Sequence, residues 1–125
     1  MSERKSIIKD KSFLFAIAVV QIYKSLVDSK KEFVLSKQLL RSGTAIGALV
    51  REAQNAESKA DFIHKLSIAQ KECDETIYWI ELLYQTKYIN QLEFEGMYNQ
   101  SNDLLKMIRS AIITTKNNHL KKTNS

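Results

Sequence analysis

Residues 58–84, SKADFIHKLSIAQKECDETIYWIELLY, decide the fold. Read at about 100° per residue, Phe62, Leu66, Ala69, Cys73, Ile77, Ile80 and Tyr84 fall on one side of a helix, the stripe expected to face a core. Ser58 and Asp61 open the run in the S-x-x-D form of a helix cap. A helix over about residues 59–87 follows. Ile68, Trp79 and Leu82 lie roughly opposite the stripe, beside His64, Lys71 and Glu75.

Periodic segments continue on both sides. Upstream, Leu35, Leu39, Ile46, Val50 and Ala53 share a face of a second helix, about residues 30–55, with Ser29-x-x-Glu32 as its capping box. Downstream, Met97, Leu104, Ile108, Ala111 and Ile112 share a face of a fourth, about residues 91–116, opened by Asn90 with Glu93 in its first turn. A first helix occupies about residues 12–28 and is apolar nearly all round from Phe13 to Tyr23. The ends, about 1–11 and 117–125, read as frayed. Short links between long helices make neighbours antiparallel. The expectation is one all-α domain over residues 1–125, an antiparallel up-down-up-down four-helix bundle.

Composition agrees. The chain has no proline and only three glycines among 125 residues, too few turn formers for a β fold of this length. Its single cysteine, Cys73, excludes an intramolecular disulfide and suits a reducing, cytoplasmic setting. The uncharged run from Phe13 to Tyr23 is too short to span a membrane. Ala16-Ile17-Ala18 lies inside that run, so the run reads as a helix and not as a signal peptide.

Constellations for chemistry are absent from the pattern. Asp61-x-x-His64 occurs once, with Asp where a carboxylate-bridged metal bundle uses Glu, and His64 sits off the core stripe; His119 lies near the end. Cys73 points to the core while Lys71, Glu72, Asp74 and Glu75 point elsewhere, which leaves no cysteine–histidine nucleophile. Gly43 and Gly47 have small-xxx-small spacing, a device for close helix packing. The reading is of a non-enzymatic protein with no metal and no cofactor.

Charge suggests a partner. The net charge is +5. On the second helix Lys37, Arg41 and Arg51 share a stripe opposite the core face, making them the candidate phosphate contacts. Three cations bind phosphate weakly alone, and a ring of identical subunits would multiply them. No aromatic platform interleaves with this stripe, which argues against base stacking. The all-round apolar first helix and the strip Ile68, Trp79 and Leu82 point to self-association, with those three as candidate interface residues.

Residues 38–48, QLLRSGTAIGA, and 58–72, SKADFIHKLSIAQKE, together with Glu75-Thr76-x-Tyr78-Trp79-x-Glu81-Leu82-Leu83, resemble the 23S ribosomal RNA intervening-sequence proteins, also called four helix bundle proteins. The likeness is strongest from about Phe33 to Tyr84. It implies an up-down bundle and a homopentameric ring, as in the related accessory proteins of diversity-generating retroelements, which use a basic surface to engage nucleic acid and a reverse transcriptase. Leu49 stands where the family usually carries Asn. The leading functional expectation is a homo-oligomer that binds structured RNA or DNA through phosphate contacts. The alternative is a protein–protein adaptor with no nucleic-acid role.

Overall fold

The computed structural model describes residues 3–124, and side-chain surroundings over 7–118. It contains α1 (Glu3–Asp28), α2 (Leu35–Gln54), α3 (Lys59–Gln85) and α4 (Gln91–Asn124). Each helix packs on the next, and α1 closes the ring against α4, so the antiparallel four-helix bundle is realised.

The buried positions of α3 are Leu66, Ala69, Cys73, Thr76, Ile80 and Leu83, spaced alternately three and four apart. In α2 the same phase runs through Ser36, Leu39, Gly43, Ile46, Val50 and Ala53. It recurs in α1 through Ile8, Ser12, Phe15 and Val19, and in α4 through Met97, Ser101, Leu104, Ile108 and Ala111. This is the heptad rhythm of helices crossing at a shallow angle. The core therefore admits hydroxyls at heptad positions. Ser12, Ser36, Thr76 and Ser101 each donate to a backbone carbonyl three or four residues back, on Lys9, Glu32, Glu72 and Met97. The Ser42 and Thr76 hydroxyls meet at 2.9 Å across the α2–α3 seam. A locally satisfied hydroxyl is tolerated in a core.

Helix boundaries differ from the sequence reading in three places. First, α1 starts at Glu3 and α4 runs to Asn124, so the ends expected to fray are helical as far as described; residues 1, 2 and 125 lie outside. Ile8, buried in phase with Ser12 and Phe15, extends the core-facing stripe of α1 beyond its expected start. Second, the Ser29–Glu32 capping box does not form. The Ser29 N–H continues the α1 ladder to Ser25, and Lys31 adopts φ 54°. The Glu32 carboxylate instead accepts from the N–H groups of Val34, Leu35 and Ser36 at 3.1, 2.9 and 2.7 Å, and α2 starts later, at Leu35. Third, α3 ends at Gln85, with Lys87 at φ 68°. The N–H of Tyr88 reaches the Leu83 carbonyl and that of Lys87 the Tyr84 carbonyl, the paired bonds of a Schellman cap. Elsewhere the caps form as read. Ser58 Oγ accepts from the Asp61 N–H, and Asn90 and Glu93 make a reciprocal box at 2.8 and 2.9 Å.

Candidate nucleic-acid interface

Helical geometry splits the cationic stripe of α2. Taking Lys37 as the origin, Arg41 lies about 40° to one side and Arg51 about 40° to the other. The structure shows the consequence. Arg41 leans onto α3, where its guanidinium donates to Glu72 at 2.9 Å and to Glu75 at 2.6 Å. Arg51 leans onto α1 and sits 4.9 Å from the centroid of the Phe13 ring. Lys37 remains exposed between them. The three candidate residues are thus not one cluster.

Arg41 is the least free of them. Its two carboxylate bonds raise its pKa, Glu75 contributing most. Glu75 answers with a lowered pKa, held down by Arg41 and also by the Trp79 indole N–H at 3.3 Å, against partial burial. One cation between two carboxylates carries a net negative charge, a poor place for a phosphate. Lys37 and Arg51 keep the exposure that a phosphate contact needs.

The proposed interface strip changes character in the same region. Ile68, Trp79 and Leu82 are half-buried, and Trp79 packs against the core and edge-on to Tyr78 at 5.0 Å. Contacts with α2 and α4 on two sides widen the sheltered arc of α3 beyond a single stripe. On α1, Phe13, Leu14 and Ile17 are 50, 58 and 40 % exposed, while Phe33, Val34, Tyr78, Leu92 and Ile113 are exposed singly or in pairs elsewhere.

A third feature lies at the end of the bundle where the α1–α2 and α3–α4 turns meet. A pocket of about 320 Å³ there is lined by Lys30, Tyr84, Lys87, Tyr88, Ile89, Asn90 and Glu93. Lys31 follows Lys30 in the same turn, and Lys30, Lys31 and Lys87 are all exposed. Tyr84 stacks on Phe94 at 4.4 Å, and Phe94 on Tyr98 at 5.3 Å. Aromatic rings and lysines are therefore interleaved here, which the reading of the α2 stripe did not foresee. The local signal was residues 84–88, YQTKY, together with the lysine pair in the facing turn.

Cys73 is buried, its thiol donates to the Ser101 carbonyl at 3.2 Å, and burial, with help from Asp74 against a smaller opposing effect of Arg109, pushes its pKa up to about 12. His64 is exposed near the start of α3, and the side chain of His119 lies outside those described. Among the described residues no three His, Cys, Asp or Glu side chains gather where they could hold a metal ion. Among the same residues no helix is long and apolar enough to cross a membrane.

Comparison with known proteins places this arrangement. The family model of the 23S rRNA-intervening sequence protein matches residues 4–110. A crystal structure of a protein of unknown function from the S23 ribosomal protein family of Bacteroides thetaiotaomicron is similar, with 52 % identity over 87 % of this chain and 97 % of that one and a TM-score of 0.86. No curated protein matches. With its four helices in order and the family match spanning most of its length, the chain belongs to the 23S rRNA-intervening sequence protein family.

Proposed function

We propose that this protein is a non-enzymatic homo-oligomer that binds structured nucleic acid, RNA by preference, through phosphate contacts. The uneven commitment of its charges carries this reading. Glu32 and Glu93 are spent on the N-termini of α2 and α4, and Glu72 and Glu75 on Arg41. Each of these carboxylates is offset locally by N–H groups or a guanidinium. Lysines such as Lys37 and the turn residues Lys30, Lys31 and Lys87 face solvent. The formal charge of +5 and these exposed lysines together favour a polyanionic partner. The family's name associates its members with a ribosomal RNA sequence, which makes RNA the first partner to test. The outward face of α1, with Phe13, Leu14 and Ile17, fits a second copy of the chain, and assembly repeats the basic surface along one polymer.

Titrating a labelled RNA hairpin at several salt concentrations tests this. Affinity is expected to fall steeply with salt, with a log–log slope of about −0.7 to −0.9 per phosphate engaged. Absence of binding at low salt refutes it. The adaptor reading, in which the same apolar face takes a foreign helix, then stands in its place.

A further inference from the structure

Three observations converge at the end of the bundle where the two turns meet. Lys31 and Lys87 both occupy the left-handed region, at φ 54° and 68°, where glycine or asparagine is the usual occupant. In both turns the residue that carries this strain is a cation. The pocket between the turns, about 320 Å³, is at the lower end of the roughly 300–1,000 Å³ range of small-ligand sites and is lined by two lysines and two tyrosines. Tyr84, which lines the pocket, has one face taken by Phe94, itself stacked on Tyr98. Of the nearby carboxylates, Glu32 and the pocket-lining Glu93 cap helices, while Asp28 is exposed at the end of α1.

A pocket walled by two tyrosines, one of them held by stacking on Phe94, and by two lysines with Lys31 next in the chain suits a flat, π-bearing, anionic guest. We infer that this end of the bundle holds an unpaired nucleotide of an RNA strand, its base against Tyr84 and Tyr88 and its phosphates among Lys30, Lys31 and Lys87. This rests on the nucleic-acid reading above and adds a location and a form to it: a loop, bulge or strand end, not a continuous helix. Stacking on tyrosine tolerates any base, so the preference is for unpaired over paired RNA and not for one sequence.

The test uses the full chain and two RNAs of about twelve units, one single-stranded and one a blunt duplex. Fluorescence anisotropy is read for the wild type and for a Tyr84→Leu, Tyr88→Leu variant, whose leucines keep apolar packing without a stacking face. Single-strand affinity is expected to drop about tenfold while duplex affinity stays within about twofold. A Lys31→Asn, Lys87→Asn variant keeps residues that tolerate positive φ and removes only charge; it too should lose more affinity for the single strand than for the duplex. It serves alone if the leucine variant does not fold by circular dichroism. Unchanged single-strand binding in the folded variants overturns the assignment and leaves the general nucleic-acid reading intact, as does an equal loss for both RNAs. A wild type that binds neither RNA at low salt overturns both.

Discussion

A Cβ placed on Gly43 would stand 2.7 Å from Cγ2 of Val19, closer than side-chain carbons approach. Val19 is fully buried and β-branched, so it has little freedom to give way. The small residue at position 43 sets how near α2 comes to α1. Gly43→Ala is therefore expected to destabilise the bundle by about 1–2 kcal/mol, overpacking outweighing the roughly 1 kcal/mol that alanine contributes to helix propensity. Gly96 gives the opposite sign, since a Cβ there meets nothing within 4 Å. Gly96→Ala should stabilise by about 1 kcal/mol. Urea unfolding of the two variants reads the contrast, and stabilisation by both would show that the seam is loose.

Glu32 links the α1–α2 turn to acid stability. Burial opposes its charge, yet three backbone N–H groups and the Ser36 hydroxyl outweigh that and lower its pKa from 4.5. Glu75 is lowered too, by Arg41 foremost. A carboxylate with a depressed folded pKa stabilises above its unfolded pKa and loses that contribution as pH falls through the folded value. Stability should thus hold from neutral pH down to about 4.5 and decline below it. Glu32→Gln should cost about 1–2 kcal/mol at pH 7, flatten the decline, and converge with the wild type in strong acid. Thermal melts from pH 7 to pH 3 check this, and parallel curves would remove Glu32 as a cause.

What the sequence disclosed depended on whether the signal was local. The Asn90–Glu93 box and the Ser58 cap involve residues three apart in one strand of chain, and both form. The Ser29–Glu32 pair has the same spacing, but Lys31 turns the chain between them and sends the carboxylate forward to α2. Most apolar core positions were legible, although Leu83, fully buried, falls outside the stripe read for α3, and Phe62, Ile77 and Tyr84 on that stripe are only half-buried. Ser36, Ser42, Thr76 and Ser101 were not legible, because a hydroxyl satisfied within the bundle leaves no mark in a hydrophobicity pattern. The cationic stripe showed charges along α2 but not the acids of α3 that meet it. Arg41 and Glu75 are 34 positions apart, and only the fold brings them within 2.6 Å. The lysines of the two turns were invisible as a group for the same reason.

That pairing yields a prediction about the stripe. Lys37→Glu with Arg51→Glu should weaken binding to an RNA hairpin and reduce the magnitude of its log–log salt slope by roughly 1–2, since each lost phosphate contact removes nearly one unit. Arg41→Gln should leave affinity and slope nearly unchanged, because its charge is already matched by Glu72 and Glu75. It should also cost less than about 1 kcal/mol of stability, as exposed ion pairs do. A larger effect on RNA from Arg41→Gln than from the double charge reversal would place the contact on the α2–α3 seam instead.

The last prediction separates two faces that each invite a partner. On α3, Ile68, Trp79 and Leu82 are half-buried and have limited surface left to bury. On α1, Phe13, Leu14 and Ile17 are much more exposed; the Arg51 guanidinium sits above the Phe13 ring, and Leu14 borders a shallow pocket with Gln100 and Asp103 of α4. Wild-type protein is expected to scatter light as a multiple of 14.4 kDa. Leu14→Asp with Ile17→Asp should reduce that mass toward the single chain while helicity and melting by the monomer remain, since neither side chain supports the core. Trp79→Ala should do the reverse, leaving the mass intact and lowering stability by about 2 kcal/mol, below the 3–5 kcal/mol of a fully buried aromatic. If Trp79→Ala dissociates the assembly and the α1 pair does not, the subunits meet through α3. A wild type that scatters as 14.4 kDa at high micromolar concentration removes the assembly altogether, and with it the multiplied phosphate contacts that RNA binding by so few cations requires.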